Sequence, residues 1–338
     1  MSMRDEAIAD FLAAGPFKGA SRAPLAGDAS NRRYERISHP RLGRAVLMDA
    51  PPEKGEDVRP FLDVTARLRA LGLSAPEVLD ADETRGFLLL EDLGDALFAR
   101  VLARAEAEET ELYAAAIDLL VALHASHEAA DGLAPYDLAT CRREAALLTD
   151  WYLPAATGHT VTPGLTEDYL GRLTRALSDL PPAPTVCVLR DYHAENLIWL
   201  PDRKGHARIG LLDYQDALAG HPAYDIVSLL EDARRDTSAD LRAAMLSGYA
   251  AATGMDQAVL AQAYAVHGAQ RNLKIMGIFA RLWLRDGKPA YLALMPRVWA
   301  HLERDLSHPS LAALRDWVGA HVPPPESDLI ARLRGARP

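Results

Sequence analysis

The chain has 338 residues, 49% of them apolar, which is enough for two domains and a sizeable core. Its formal net charge of −10 argues against a nucleic-acid or anionic-membrane partner held by a basic patch. The two cysteines, Cys141 and Cys187, lie far apart and form neither a CxxC pair nor a disulfide framework, which fits a reducing cytoplasm.

In chain order, "MSMRDEAIAD" is acidic and lacks an apolar core, so it is not expected to be a signal peptide. Arg4–Ala14 has a short helical pattern. "APLAGDASNRRYERIS" predicts strand, polar turn and strand, and "RAVLMDAPPE" a further strand ended by its two prolines. Pro60–Leu71 carries apolar residues at helical spacing and stops at Gly72. "PEVLDADETRGFLLLEDLGD" predicts two strands around an acidic turn. From Asp95 the pattern is mostly helical, interrupted by strands near 186–212. The apolar run "LYAAAIDLLVALHAS" is broken by Asp118 and His124 before it reaches membrane-spanning length. A small sheet-rich lobe over 1–92, a join near 91–95 and a larger helical lobe over 93–338 are expected.

The stretch "TVCVLRDYHAENLIWLP" sets two apolar runs on either side of a loop dense in charge and hydrogen-bonding groups. The loop is expected at the end of a β-hairpin. Asp191 opens it, Asn196 follows five positions later, and Asp213 comes directly after the apolar run Ile209–Leu212. Each residue alone reads as an ordinary turn or cap residue. As a set they supply what phosphoryl transfer needs: a carboxylate to take or orient the proton of the attacking hydroxyl, and an amide and a carboxylate oxygen to ligate Mg²⁺. The spacing D-x4-N is that of protein-kinase catalytic loops. Hard oxygen donors without a His/Cys cluster argue against zinc.

The elements D191-Y-H193-x-x-N196, L-L-D213 and G220-H-P-A-Y-D225 resemble the aminoglycoside phosphotransferase and choline kinase family of small-molecule kinases. "DASNRRY", "VLMDAPPE", "RGFLLLEDLG", "DWYL", "LLDYQDALAG" and "QRNLKIMGIFARLWLRDGKPAYL" extend the likeness over nearly the whole chain. Within the family they resemble the bacterial anomeric kinases of N-acetylmuramate and N-acetylglucosamine in cell-wall sugar recycling. The resemblance implies an α+β, protein-kinase-like fold with a small sheet-rich lobe and a larger helical lobe, ATP and Mg²⁺ as cofactors, and ATP bound between the lobes. It makes Asp191 the catalytic base, Asn196 and Asp213 the Mg²⁺ ligands, and Asp225 a brace for the catalytic loop, a role compatible with capping the following helix. His193 takes the family's loop-shaping position.

The chain departs from the pattern in places. Leu189 stands where the family often has an architectural histidine. The strand "RAVLMDAPP" carries Met48 and Asp49 where a kinase presents a lysine to the nucleotide phosphates, while Lys54 beyond the prolines reads as solvated. For the phosphates this leaves the turn Asp28, Ala29, Ser30 and Asn31, whose backbone N–H groups can cradle an anion, with Arg32 or Arg33 supplying charge. A plain hairpin turn with solvated arginines is the competing reading. Glu91, Asp92 and Leu93 read as the interlobe hinge facing adenine, or simply as a strand running into a turn.

For the acceptor, "TDWYLPA" offers Asp150 and Tyr152 beside Trp151, and the later helix offers Gln270, Arg271, Lys274 and Arg281, one of whose cations an N-acetylmuramate carboxylate would need. Against these stand core packing for the aromatics and carboxylate-paired helix faces for the cations. Only Tyr214–Tyr224 separates Asp213 from Asp225, too little for a protein-kinase activation segment, so a small hydroxyl compound is expected as partner. Two alternatives stand beside the sugar kinase: a kinase of cationic aminoglycosides, which an acidic surface would suit, and a nucleotide-binding module without catalysis.

Overall fold

The structure, a computed structural model, describes residues 3–25 and 31–335. Five strands come first: β1 Ser21–Pro24, β2 Arg33–His39, β3 Gly43–Asp49, β4 Val78–Asp82 and β5 Phe87–Glu91. Four three-residue strands follow far along the chain: β6 Val186–Val188, β7 Leu197–Trp199, β8 Ile209–Leu211 and β9 Leu218–Gly220. The chain forms two compact units, one of Met1–Glu108 with Glu195–Ala217 and one of Glu109–Ala194 with Leu218–Pro338.

In the first unit the five leading strands make one antiparallel sheet in the order β1-β2-β3-β5-β4. The β2–β3 turn closes at Gly43, whose φ of 79° is left-handed, and His39 Nδ1 accepts the N–H groups of Arg41 and Leu42. Helix α1 (Met3–Ala14) lays Ile8, Phe11 and Leu12 against Ile37, Leu47, Phe87 and Leu89 of the sheet. Helix α2 (Arg59–Ala70) begins with Pro60 in its first turn, where no N–H is needed, and its end is followed by left-handed Gly72. The short α3 (Phe98–Ala103) follows the sheet. The β7–β8 pair belongs here too: Trp199 N–H donates to Ala96, Leu211 N–H donates to Ser74, and the phenol of Tyr214 meets Thr65 of α2 at 2.8 Å.

The second unit is helical: α4 Glu109–Ala125, α5 Leu138–Ala145, α6 Leu153–Thr157, α7 Pro163–Ser178, α8 Ala223–Leu230, α9 Ala239–Thr253, α10 Gln257–Leu284, α11 Met295–Leu306, α12 Ala312–His321 and α13 Ser327–Gly335. Asp256 starts α10 by accepting the N–H groups of Ala258 and Val259. This helix runs through the core, packing Leu273, Met276 and Ala280 with Leu148, Tyr169, Val298 and Leu302. Gly277 lets the chain at Leu147 approach so closely that a Cβ there would lie 2.2 Å from the Leu147 carbonyl carbon.

The expected sheet lobe followed by a mostly helical remainder is what the chain forms. The expected hairpin across the charged loop is not. β6 pairs with β9 and β7 with β8, so the apolar runs on either side of Asp191 belong to different ladders. Strands of three residues have little intrinsic register, and packing rather than sequence adjacency selects their partners.

Candidate active site

The Asp191 loop is built by β6 and α8 of the second unit. Arg190 takes a left-handed φ of 71°, uncommon for a residue with a side chain. Fully buried Asp225 holds it there, its carboxylate accepting the N–H groups of Leu189 at 2.6 Å and Arg190 at 2.8 Å. One turn further along α8, the Ser228 hydroxyl donates to the Arg190 carbonyl at 3.0 Å and accepts from Arg271 at 2.9 Å. Burial pushes the Asp225 carboxyl up to about 7, against the pull of its two backbone donors.

Around Asp191 the unit gathers charge. Arg271 of α10 is buried, with Nη2 4.0 Å from Asp191 Oδ1. Glu144 of α5 binds Arg190 Nη2 through Oε1 at 2.5 Å and Lys274 Nζ through Oε2 at 2.9 Å. Tyr136 donates its phenol to the same Oε2 at 2.5 Å, and Lys274 also reaches the Tyr224 hydroxyl at 3.2 Å. Burial alone would raise Asp191, but Lys274, Arg271, His193 and Arg190 outweigh it and hold the carboxyl below the ordinary aspartate range. Glu144 is likewise held low: Lys274 and Arg190 overcome its burial. The Asp191 side chain is 48% exposed, so an incoming hydroxyl can reach its carboxyl group. His193 is buried in the loop, and burial holds its imidazole below the ordinary range despite Asp232 and Asp191.

The chain crosses from the second unit into the first between Ala194 and Glu195. There the β7–β8 register sets Leu197 opposite Leu211, and Leu212 N–H donates to the Asn196 carbonyl at 3.0 Å. Asn196 and Asp213 are thus brought to adjacent places at one end of the pair. Asp213 has a left-handed φ of 56°, and its Oδ1 accepts from Gln215 at 2.8 Å. The backbone register sets an amide and a carboxylate, both hard-oxygen donors of the type that Mg²⁺ takes, at neighbouring positions. Among the described residues no group of three or more His, Cys, Asp or Glu side chains is arranged to hold a metal.

Of the phosphate-turn candidates, Asp28, Ala29 and Ser30 lie outside the described residues. Asn31 and Arg32 are tied to the turn after β3: the Asn31 side chain donates to the Lys54 carbonyl and Arg32 Nε meets Glu56 at 2.8 Å. Arg33 binds Asp49. At the expected hinge, Glu91 N–H already donates to Glu77 and the Glu91 carboxylate pairs with Arg203, while Asp92 pairs with Arg36 of β2 at 2.7 Å. Leu93 is buried, with a methyl 3.0 Å from where a Cβ on Gly210 would stand.

Of the acceptor candidates, Arg271 and Lys274 share the neighbourhood of Asp191. Tyr152 sits in the core with its hydroxyl donating to the Pro323 carbonyl at 2.7 Å, so its role is packing. Asp150 is exposed and lines a different surface hollow of about 500 Å³ with Thr149, His159 and Thr160. Sequence reading missed Glu144 and Tyr136, which carry no motif. It also missed Arg190, whose place next to Asp191 was the one available signal.

Residues 21–261 match the model of the phosphotransferase enzyme family. A protein of Caulobacter vibrioides named N-acetylmuramate/N-acetylglucosamine kinase is 38% identical, the match covering 95% of this chain and 98% of that protein. The choline kinase LicA of Streptococcus pneumoniae shares the fold at a TM-score of 0.65 and 14% identity, over 93% of this chain and all of that one. The ADP-bound aminoglycoside phosphotransferase APH(2'')-Ib does so at 0.56 and 14%, over 87% and 94%. By the family match and a relative similar along nearly its whole length, the chain belongs to the phosphotransferase enzyme family.

Proposed function

We propose that this phosphotransferase moves the γ-phosphoryl group of ATP to the anomeric hydroxyl of N-acetylmuramate or N-acetylglucosamine, giving the sugar 1-phosphate and ADP in cytoplasmic recycling of cell-wall sugars. The name of the Caulobacter relative supports the sugar class. The observation that carries the chemistry is the half-exposed Asp191 in a loop pinned by Asp225 and faced by cations that hold its carboxyl low. Its carboxylate takes the proton of the sugar hydroxyl as the oxygen forms its bond to phosphorus, and the bond from phosphorus to the bridging oxygen of ADP breaks. An anomeric hydroxyl is the most acidic on the sugar because the ring oxygen withdraws charge, so one aspartate suffices.

In this reading residues 1–92 serve the nucleotide, with a hinge at 91–95, and 93–338 serve catalysis and the sugar. Asn196 and Asp213 hold Mg²⁺, which when bound offsets the charge of the ATP phosphates. Arg271 and Lys274 face the sugar. The carboxyl groups of Asp191, Glu144 and Asp225 stand among three cations, Arg190, Arg271 and Lys274. Arg271 and Lys274 are the cations that an anionic sugar would meet there.

A sugar panel with product analysis tests the reading. The expected product no longer reduces a copper reagent and releases phosphate in mild acid, as an anomeric phosphate does. A product that still reduces copper and survives acid overturns the anomeric position. Phosphorylation of kanamycin-like compounds alone overturns the sugar.

A further inference from the structure

Glu144 is a small, buried hub. Its two oxygens receive three donors from three elements: the guanidinium of Arg190 beside the expected base, the ammonium of Lys274 on α10, and the phenol of Tyr136. The side chain is 13% exposed, so these partners rather than water satisfy it. Arg190 and Lys274 are themselves only 20% and 11% exposed, and both act electrostatically on Asp191. Removing the Glu144 charge would take the carboxylate partner from Arg190 and Lys274 in a poorly screened place beside Asp191. None of the usual phosphoryl-transfer roles accounts for such a residue, since it is neither the base nor a metal or phosphate ligand.

The two proposed sugars differ in charge: N-acetylmuramate carries a lactyl carboxylate on O3 and N-acetylglucosamine is neutral. We propose that Glu144 sets the charge preference of the acceptor site, holding Arg190 and Lys274 and offsetting their charge so that both an anionic and a neutral amino sugar are accepted. Glu144 acts through its partners and is a positioning and specificity residue, not a catalytic one. The inference rests on the sugar-kinase reading above.

The test is the ratio of kcat/KM for N-acetylmuramate to kcat/KM for N-acetylglucosamine, measured with full-length protein. Glu144→Gln should raise the ratio about three- to tenfold, the size expected for one partly screened unit charge. Lys274→Met should lower it by a similar factor. The double variant, which restores the charge count, should return within about twofold of wild type. Glu144→Asp keeps the charge and should leave the ratio near wild type even where its kcat falls, which separates charge from general damage to the site. If Glu144→Gln does not fold, Lys274→Met and Glu144→Asp still decide, because a Lys274→Met ratio equal to wild type overturns the proposal. A folded Glu144→Gln with an unchanged ratio also overturns it while leaving the sugar-kinase reading intact. A wild-type protein that phosphorylates neither sugar overturns that reading instead.

Discussion

Arg33 stands directly opposite Asp49 in the β2–β3 ladder, and its guanidinium closes on that carboxylate at 2.6 Å. Arg4 of α1 binds the other oxygen, also at 2.6 Å, so Asp49 is buried at 2% exposure between two guanidinium groups. The end of β3, where a kinase-like fold presents a lysine, is thus a satisfied carboxylate. In the neighbouring turns the Asn31 side chain donates to the Lys54 carbonyl and Arg32 pairs with Glu56 at 2.8 Å.

Replacing Arg32 and Arg33 together by alanine should raise KM for ATP about tenfold while changing KM for sugar little, with the split read from initial rates. The same variant should lose about 1 kcal/mol of stability in urea, since Asp49 keeps only Arg4. A larger ATP defect from Lys54→Ala alone would assign the phosphate contact to that lysine.

Asp191→Asn should lower kcat by about two or more orders of magnitude and leave nucleotide affinity nearly intact, because an amide can orient the hydroxyl but not take its proton. The cations around Asp191 hold its carboxyl low. In wild type the acidic limb of kcat/KM, where the base becomes protonated, should therefore lie below the ordinary aspartate range. Arg271→Gln should move that limb upward. A limb near pH 6 in wild type would show that burial outweighs the cations.

Asp213→Ala should abolish Mg²⁺-dependent turnover, and Asn196→Ala should show a milder loss that excess Mg²⁺ partly restores, the carboxylate carrying the larger charge. Titration of activity against Mg²⁺ decides this. An unchanged Mg²⁺ dependence in both variants removes the metal assignment.

Asp225 links the loop to pH. Its carboxyl is raised from an ordinary 3.8 to about 7 in the folded chain, so between those values the native state keeps a proton that the unfolded state has lost. Its contribution to stability therefore falls as pH rises through this window, by roughly 1.4 kcal/mol per pH unit at most. Urea unfolding of wild type and Asp225→Asn from pH 4 to 8 isolates this group. The stability difference between them should shrink with rising pH up to about 7 and then level off, whereas a pH-independent difference would assign Asp225 an ionised state throughout. The buried carboxyls of Glu231 and Asp305, also raised by burial, are present in both proteins and cancel.

Local chemistry made much of this protein legible from sequence alone. Helical patterns, prolines and glycines placed α1 and α2 within a residue and gave β1–β5 in their order along the chain, because local propensities and caps act within such elements. Asp191, Asn196 and Asp213 stood out because their type and spacing are set by chemistry. What the sequence left open depended on contacts between residues distant along the chain. The three-residue strands β6 to β9 found partners by packing, so the apparent hairpin around Asp191 dissolved into two ladders. Arginines that read as solvated or phosphate-binding proved to be paired with carboxylates across a ladder or a turn. Tyr152 was drawn into the core, and Glu144, in a helix with no motif, became the hub of the charges facing Asp191 only when α5 and α10 came together. Composition and periodicity act over a few residues, while the balance of buried charge is fixed only when the folded chain brings its partners within a few ångströms of one another.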